Sequence, residues 1–78
     1  MTEEQKKEFL ELVAEYSDAD VEDITLDMRF REDLGFNSLN FMTFLGDLED
    51  TFDIEIDGDD VLNLTTVEDA INYASDLI

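Results

Sequence analysis

The chain has 78 residues, of which 23 are acidic and 4 are basic, and its formal net charge is −19. Four cations cannot neutralise a row of phosphates, so binding to nucleic acid or to an anionic membrane surface is excluded, and a basic protein partner is expected. The sequence contains no cysteine and no histidine. A disulfide, a thiolate nucleophile, an ordinary zinc site and a Ser-His triad are therefore excluded as well.

The length and the 44% hydrophobic content fit a single domain over residues 1–78 with one core. The first residues carry no apolar run, and no stretch of the chain approaches the length of a membrane span. We therefore expect no signal peptide, no membrane insertion and a cytoplasmic location. Strong like charge disfavours self-association, so we also expect a monomer.

The first predicted helix runs from about Glu3 to Tyr16. Thr2 and Gln5 have the spacing of a capping box at its start. Its apolar residues recur at helical spacing and are Phe9, Leu10, Leu12, Val13 and Tyr16. The pattern breaks over residues 17–20.

Residues 17–37 form a long connection that contains scattered apolar residues, several of them at a period of two. These residues are Val21, Ile24, Leu26, Met28 and Phe30. A strand is one interpretation, but a single short strand here has no evident partner. We predict instead a long loop that pins its apolar side chains onto a helical core, and loops of this length are often functional.

The second predicted helix runs from about Ser38 to Thr51 or Phe52, with Ser38 in its N-cap region. Its core-facing stripe consists of Phe41, Phe44, Leu45, Leu48 and Phe52. Leu39, Met42 and Gly46 lie on the opposite side, and they are either ordinary surface apolar residues or a docking stripe. Gly46 costs about 1 kcal/mol relative to alanine, and it either permits close approach of a partner or is neutral.

The acidic segment 53–64 is centred on Gly58, and a short helix or turn is predicted at about Asp59–Leu64. The last helix begins near Thr65 or Thr66, where two capping boxes compete: Thr65 with Glu68, and Thr66 with Asp69. The apolar face of this helix consists of Val67, Ala70, Ile71, Ala74 and Leu77 or Ile78. The predicted fold is all-α, with three longer helices, one short helix and a long first loop.

Metal and acid–base chemistry receive little support from the sequence. The start of an EF-hand loop is imitated by Asp53, Glu55, Asp57, Gly58 and Asp59. However, Leu64 stands where that loop requires a bidentate glutamate, so we predict no metal site beyond weak, diffuse cation binding. Nothing marks a carboxylate pair in which burial raises one pKa, so no catalytic residue is predicted.

A serine at the start of the second helix has more informative surroundings. The segment Asp33-Leu34-Gly35-Phe36-Asn37-Ser38-Leu39 leads from the long loop into that helix. A phosphodiester on the hydroxyl would be favoured by the helix dipole and the free backbone N–H groups. Together with the rest of residues 30–56 and the later segments 64–67 and 70–73, this pattern resembles the acyl carrier protein family over nearly the whole chain. The resemblance implies a four-helix bundle of the acyl-carrier type.

The same resemblance implies that Ser38 is esterified with 4′-phosphopantetheine, taken from coenzyme A by a phosphopantetheinyl transferase. The thiol of that arm carries acyl groups as thioesters, so the chain is expected to be a carrier and not an enzyme. Its partners are expected to be the acyl-loading and acyl-using enzymes of fatty-acid, polyketide or related biosynthesis. The residues implied to meet basic docking surfaces on these partners are Asn37, Leu39, Met42, Asp47, Glu49 and Asp50. The residues expected to line a space for the acyl chain are Phe41, Phe44, Leu45 and Ile71.

The sequence also departs from the family pattern. The position before the serine is usually aspartate, which helps the transferase, whereas here it is Asn37. Asn40 and Thr43 are neutral where housekeeping fatty-acid carriers often have acids. These differences suggest a specialised carrier that serves its own enzymes. Two alternatives are an unmodified acidic protein that occupies a basic groove on a partner, and an aminoacyl or peptidyl carrier.

Overall fold

Three α-helices pack around one apolar core in the computed structural model, which describes residues 1–78. Their bounds are Glu3–Tyr16 for α1, Ser38–Phe52 for α2 and Val67–Leu77 for α3. Two 3-10 turns lie in the connections, at Val21–Asp23 and Val61–Asn63. The all-α prediction is confirmed, and the predicted short helix is the second of these 3-10 turns. None of the helices combines the length and the apolar character that crossing a bilayer requires.

The helix starts follow local sequence signals. Thr2 and Gln5 form the predicted capping box of α1, in which the Gln5 N–H donates to Thr2 Oγ1 at 3.1 Å. At α3 the two competing capping boxes are resolved in favour of Thr66 with Asp69. The N–H of Asp69 donates to Thr66 Oγ1 at 3.1 Å, and the Asp69 carboxylate accepts the N–H of Thr66 at 3.2 Å.

The long connection between α1 and α2 is a loop, as predicted. It is anchored by side chains buried in the core and by backbone hydrogen bonds to the start of α3. Its buried side chains are Ile24, Phe30, Leu34 and Phe36. Its only strand-like feature is an isolated antiparallel bridge between Arg29 and Thr66. The carbonyl groups of Met28 and Leu26 accept the N–H groups of Val67 and Glu68, both at 2.9 Å. The loop therefore satisfies backbone donors that the start of α3 would otherwise leave unpaired.

The ring of Phe44, in the middle of α2, lies at the centre of the core and is fully buried. Its centroid lies between 5.5 and 6.2 Å from those of five other rings, most of them in edge or tilted arrangements. These rings belong to Phe9, Tyr16, Phe30, Phe36 and Phe41. Edge-to-face pairs of this kind add to the free energy gained from burial alone. The predicted α2 stripe is confirmed at Phe44, Leu45 and Leu48, which are buried, while Phe41 and Phe52 are half-buried.

One polar link joins α1 to α2. The Tyr16 hydroxyl donates a hydrogen bond to the Asp47 carboxylate. This bond raises the pKa of Tyr16 to about 12, because ionisation would remove the donated proton and place a second negative charge beside the carboxylate. Asp47 therefore has a partner within the chain.

Two glycine substitutions should change stability in opposite directions. Gly46 lies inside α2, and a Cβ there would meet no atom within 4 Å, so Gly46→Ala should raise the free energy of unfolding by about 1 kcal/mol. Gly35 has the same open surroundings but a φ of +72°, so Gly35→Ala should lower it by about 1–2 kcal/mol. Urea unfolding of both variants measures the difference. A Gly46→Ala protein that is less stable than the parent would contradict the prediction that a Cβ at this position meets no other atom.

A second prediction concerns alkaline pH. An unfolded tyrosine ionises near its ordinary pKa of 10, whereas folded Tyr16 keeps its proton to about 12. The folded state therefore binds more protons between these values, and the Tyr16 contribution to stability is complete below pH 10 and lost as pH rises towards 12. Urea unfolding across this range should show a smaller loss in Tyr16→Phe than in the parent protein. Both proteins should carry Tyr73→Phe, because a hydrogen bond to Asp60 also raises the pKa of Tyr73. Equal losses would contradict the prediction.

Candidate functional site

A closed turn at residues 29–34 sets the direction of the chain before α2. The backbone N–H of Arg29 donates to the Asp33 carboxylate at 2.8 Å, and this bond lowers the pKa of Asp33. In return, the N–H groups of Asp33 and Leu34 donate to the Arg29 carbonyl at 3.0 and 3.2 Å. Arg29 also forms ion pairs with Glu32 and Asp33. The positive charge of Arg29 is therefore paired with carboxylates of the same turn.

The next residues carry the chain from the turn to the helix. Gly35 adopts a left-handed conformation with φ +72°, which glycine accepts without steric cost. On either side of it, the side chains of Leu34 and Phe36 are buried, and the Phe36 N–H donates to the Phe30 carbonyl at 2.8 Å. The packing of Leu34 and Phe36 in the core therefore fixes the position at which α2 begins.

Asn37 is the residue that caps α2. Its backbone is extended, with φ −106° and ψ 177°, and its Oδ1 accepts the N–H of Asn40 at 2.8 Å. This corrects the expectation that Ser38 supplies the cap, because Ser38 already has helical geometry as the first residue of α2. The Ser38 hydroxyl is therefore not required to hold the helix end.

The Ser38 side chain is exposed, and its hydroxyl has one partner in the chain. Arg31 Nη2 donates to Ser38 Oγ at 2.8 Å. The backbone N–H groups of Ser38 and Leu39 have no acceptor within the chain, and the first turn of α2 contains no acidic residue. A guanidinium cannot accept a proton, so the hydroxyl has no general base beside it. This arrangement presents a hydroxyl in neutral to positive surroundings on a strongly acidic protein.

A cleft of about 450 Å³ opens beside Ser38, between the start of α2 and the segment around the second 3-10 turn. It is lined by Arg29, Phe30, Arg31, Glu32, Ser38, Phe41, Met42, Val61, Leu62, Leu64 and Thr65. Of the residues predicted to line a space for an acyl chain, Phe41 lies in this cleft. The other three, Phe44, Leu45 and Ile71, lie in the packed core instead.

The structure distributes the predicted partner-binding residues over two environments. Leu39 and Met42 are exposed by 76% and 57%, beside the serine, and Asn37 and Asp50 are also exposed. The remaining two acids are half-buried and bonded within the chain: Asp47 accepts the Tyr16 hydroxyl, and Glu49 accepts the N–H of Ile56 at 2.9 Å.

Sequence patterns did not single out two parts of the site. Leu62 is exposed by 88% and, with Val61 and Leu64, forms the wall of the cleft opposite α2. Its signal was a short apolar run, Val61, Leu62 and Leu64, that follows the acidic residues Asp59 and Asp60. Arg31 carried a weaker signal, as one of only four basic residues in the chain.

Comparison with known proteins shows the family to which the chain belongs. Residues 7–74 match the family model described as a phosphopantetheine attachment site. The chain is 44% identical over 63 residues to the acyl carrier protein of Exiguobacterium sibiricum, which covers 81% of this chain and 80% of that one. It is 39% identical over 74 residues to the acyl carrier protein of Lactobacillus johnsonii, covering 94% and 92% of the two chains.

The fold comparison agrees with the sequence comparison. The structure of the acyl carrier protein from Enterococcus faecalis superposes with a TM-score of 0.84 at 26% identity, over 97% of this chain and 96% of that one. The chain belongs to the acyl carrier protein family.

The separation of cap and hydroxyl leads to a prediction for two adjacent side chains. Asn37→Ala should lower the free energy of unfolding by about 1 kcal/mol, because it removes the acceptor of the Asn40 N–H. Ser38→Ala should change it by less than about 0.5 kcal/mol, because its exposed hydroxyl bonds only to Arg31. Thermal or urea unfolding of both variants distinguishes them. Equal destabilisation would indicate that Ser38 shares the capping role.

Proposed function

We propose that Ser38 is the residue of this chain that bears 4′-phosphopantetheine and that residues 1–78 act as one carrier domain. The observation that carries the assignment is the exposed Ser38 hydroxyl at the first turn of α2, free of any capping duty. The residues around it fit such a group. Arg31 and the unpaired N–H groups of Ser38 and Leu39 can face a phosphodiester, and an apolar cleft adjoins it.

Attachment must be catalysed by another protein. Ser38 Oγ forms the new bond to phosphorus, a phosphorus–oxygen bond within the pyrophosphate of coenzyme A breaks, and the adenosine nucleotide leaves. The hydroxyl proton passes to a base on the transferase, because this chain contains no histidine and places only a guanidinium beside the hydroxyl. The chain is therefore a carrier that other enzymes modify and use, and not itself an enzyme.

The attached group supplies a thiol, which this cysteine-free chain lacks, and acyl groups are held on it as thioesters. The chain's own residues then present the cargo. Leu39 and Met42 offer an apolar contact beside Ser38, and the exposed Asp50 lies on the same helix. A basic surface on acyl-loading and acyl-using enzymes complements this helix, and such charge complementarity speeds encounter more than it raises affinity.

Two further parts of the proposal concern cargo and location. Phe41 and the opposite wall of the cleft, at Val61, Leu62 and Leu64, are placed to contact the apolar part of a cargo near its attachment point. The neutral Asn37 points to a specialised carrier with its own enzymes. The proposed carrier works in the cytoplasm, where coenzyme A and biosynthetic enzymes are available, and it works as a monomer because its net charge of −19 disfavours self-association.

The test is modification in vitro. The protein is incubated with coenzyme A, magnesium and a broad-specificity phosphopantetheinyl transferase, and its intact mass is measured. One phosphopantetheine should be added to the parent protein and none to Ser38→Ala, which should remain folded because the cap is Asn37. The Asn37→Asp variant should be modified at least several-fold faster, since Asp caps as well as Asn and restores the acid that helps the transferase.

A carrier from another bacterium, loaded in the same reaction, serves as the positive control. If it is loaded while neither the parent protein nor Asn37→Asp gains mass, the assignment of Ser38 is wrong. The chain would then act as an unmodified acidic interaction protein. Addition to Ser38→Ala would place the attachment elsewhere.

A further inference from the structure

Arg31 carries a positive charge that no carboxylate of the chain neutralises. Both salt bridges in the structure involve Arg29, which pairs with Glu32 and Asp33. Arg31 instead directs its guanidinium to the Ser38 hydroxyl at 2.8 Å. In a chain with 23 acidic residues, Arg31 thus contacts a neutral hydroxyl and forms no ion pair with an acid.

The Arg31 guanidinium has more hydrogen-bond donors than the Ser38 hydroxyl can accept from, and it carries a charge that the hydroxyl does not balance. A guanidinium presents five N–H donors in a planar fork that matches carboxylates and phosphates, and its hydrogen bonds to anions are stronger than those to neutral groups. The Ser38 hydroxyl accepts a hydrogen bond from one of those donors, but it is neutral and leaves the positive charge of Arg31 without a counter-charge. An anion bonded to Ser38 Oγ would satisfy both, and it would form directly beside the guanidinium.

We propose that Arg31 is a positioning residue that pairs with the phosphodiester formed on Ser38 and holds the start of the arm at the mouth of the adjoining cleft. The proposal rests on the assignment of Ser38 as the attachment residue. Arg31 itself lines that cleft, together with Phe41 and Met42 on α2. The pairing therefore keeps the beginning of the arm beside apolar side chains, close to the surface that partners contact.

A purely structural role for Arg31 makes a different prediction. If the side chain only ties the loop to α2 through Ser38 Oγ, its removal destabilises the unmodified and the modified protein by the same amount. If it pairs with the phosphodiester, its removal costs more in the modified protein. The difference between the two forms is therefore the quantity to measure.

The experiment is a thermal unfolding cycle at low ionic strength, with each protein in its unmodified form and in its phosphopantetheine form, the loading confirmed by intact mass. Modification should raise the melting temperature of the parent protein by about 2–4 °C, as expected for one exposed charge-assisted pair in a domain of this size. In Arg31→Gln it should give no rise or a small fall, because it adds negative charge to a chain of −19. Arg31→Lys should restore part of the rise, since it keeps the charge and loses the fork.

Arg29→Gln is the matched control. It removes the same charge from the neighbouring arginine, which also lines the cleft but already pairs with Glu32 and Asp33. It should lower the melting temperature of both forms equally and leave the rise on modification intact. The phosphorus-31 resonance of the modified protein should shift in Arg31→Gln and stay within experimental error in Arg29→Gln. The rise in the parent protein should shrink in high salt.

The outcomes separate the two proposals. If neither the parent protein nor Asn37→Asp takes up phosphopantetheine while the control carrier is loaded, the assignment of Ser38 is wrong and the role of Arg31 falls with it. A parent protein that is modified, with the same rise in Arg31→Gln as in the parent, overturns the role of Arg31 and leaves Ser38 in place. Loss of the rise in Arg29→Gln as well would attribute it to general charge and also overturn the specific role of Arg31.

Discussion

The packing of the Phe44 ring is the interaction on which the rest of the structure depends. It meets Phe9 and Tyr16 from α1, and Phe30 and Phe36 from the long loop. The loop has little regular structure of its own, so its course is fixed by the burial of its apolar side chains, Phe30 and Phe36 among them, and by backbone hydrogen bonds to the start of α3. Because Phe36 precedes the cap residue Asn37 directly, the same packing determines where α2 begins and where the Ser38 hydroxyl lies. A ring buried in the core thus positions a hydroxyl at the surface.

Charge acts against this compact arrangement. The acidic side chains that give the net charge of −19 repel one another at the surface, and a core with no buried polar or charged residue opposes that repulsion through apolar burial. Two acids of α2 also form hydrogen bonds that hold the fold: Asp47 accepts the Tyr16 hydroxyl, and Glu49 accepts the N–H of Ile56. Two of the four basic residues, Arg29 and Arg31, line one cleft beside Ser38. Arg29 is paired with Glu32 and Asp33, so Arg31 is the basic residue beside Ser38 that is left without a carboxylate partner.

Local signals in the sequence predicted the helices and most of their ends, because caps depend on residues three positions apart. The bounds of α1, the start of α2 and the exposure of Leu39 and Met42 agree with prediction. The cap of α2 did not, since Asn37 and Ser38 are equally good capping residues and only the backbone angles distinguish them. The cleft was also beyond local signals, because its walls come from α2 and from the distant turn at Val61–Asn63. Helical periodicity placed Phe44 and Leu45 on the core-facing side of α2. It could not tell whether they pack in the interior or line an open cleft.

Asn37 directly precedes Ser38 and Arg31 contacts the Ser38 hydroxyl, so the charge at one position affects the interactions of the other. An aspartate at position 37 would cap α2 equally well, so stability does not explain the asparagine. Its carboxylate would, however, lie next to the residue that the Arg31 guanidinium contacts, and it would compete with a phosphodiester for that cation. A neutral cap would leave the guanidinium to the proposed phosphodiester, at the cost of the acid that the family resemblance assigns a role in modification. Under the proposed function, the neutral Asn37 beside Arg31 would therefore slow modification by a general transferase and leave Arg31 free to hold the arm.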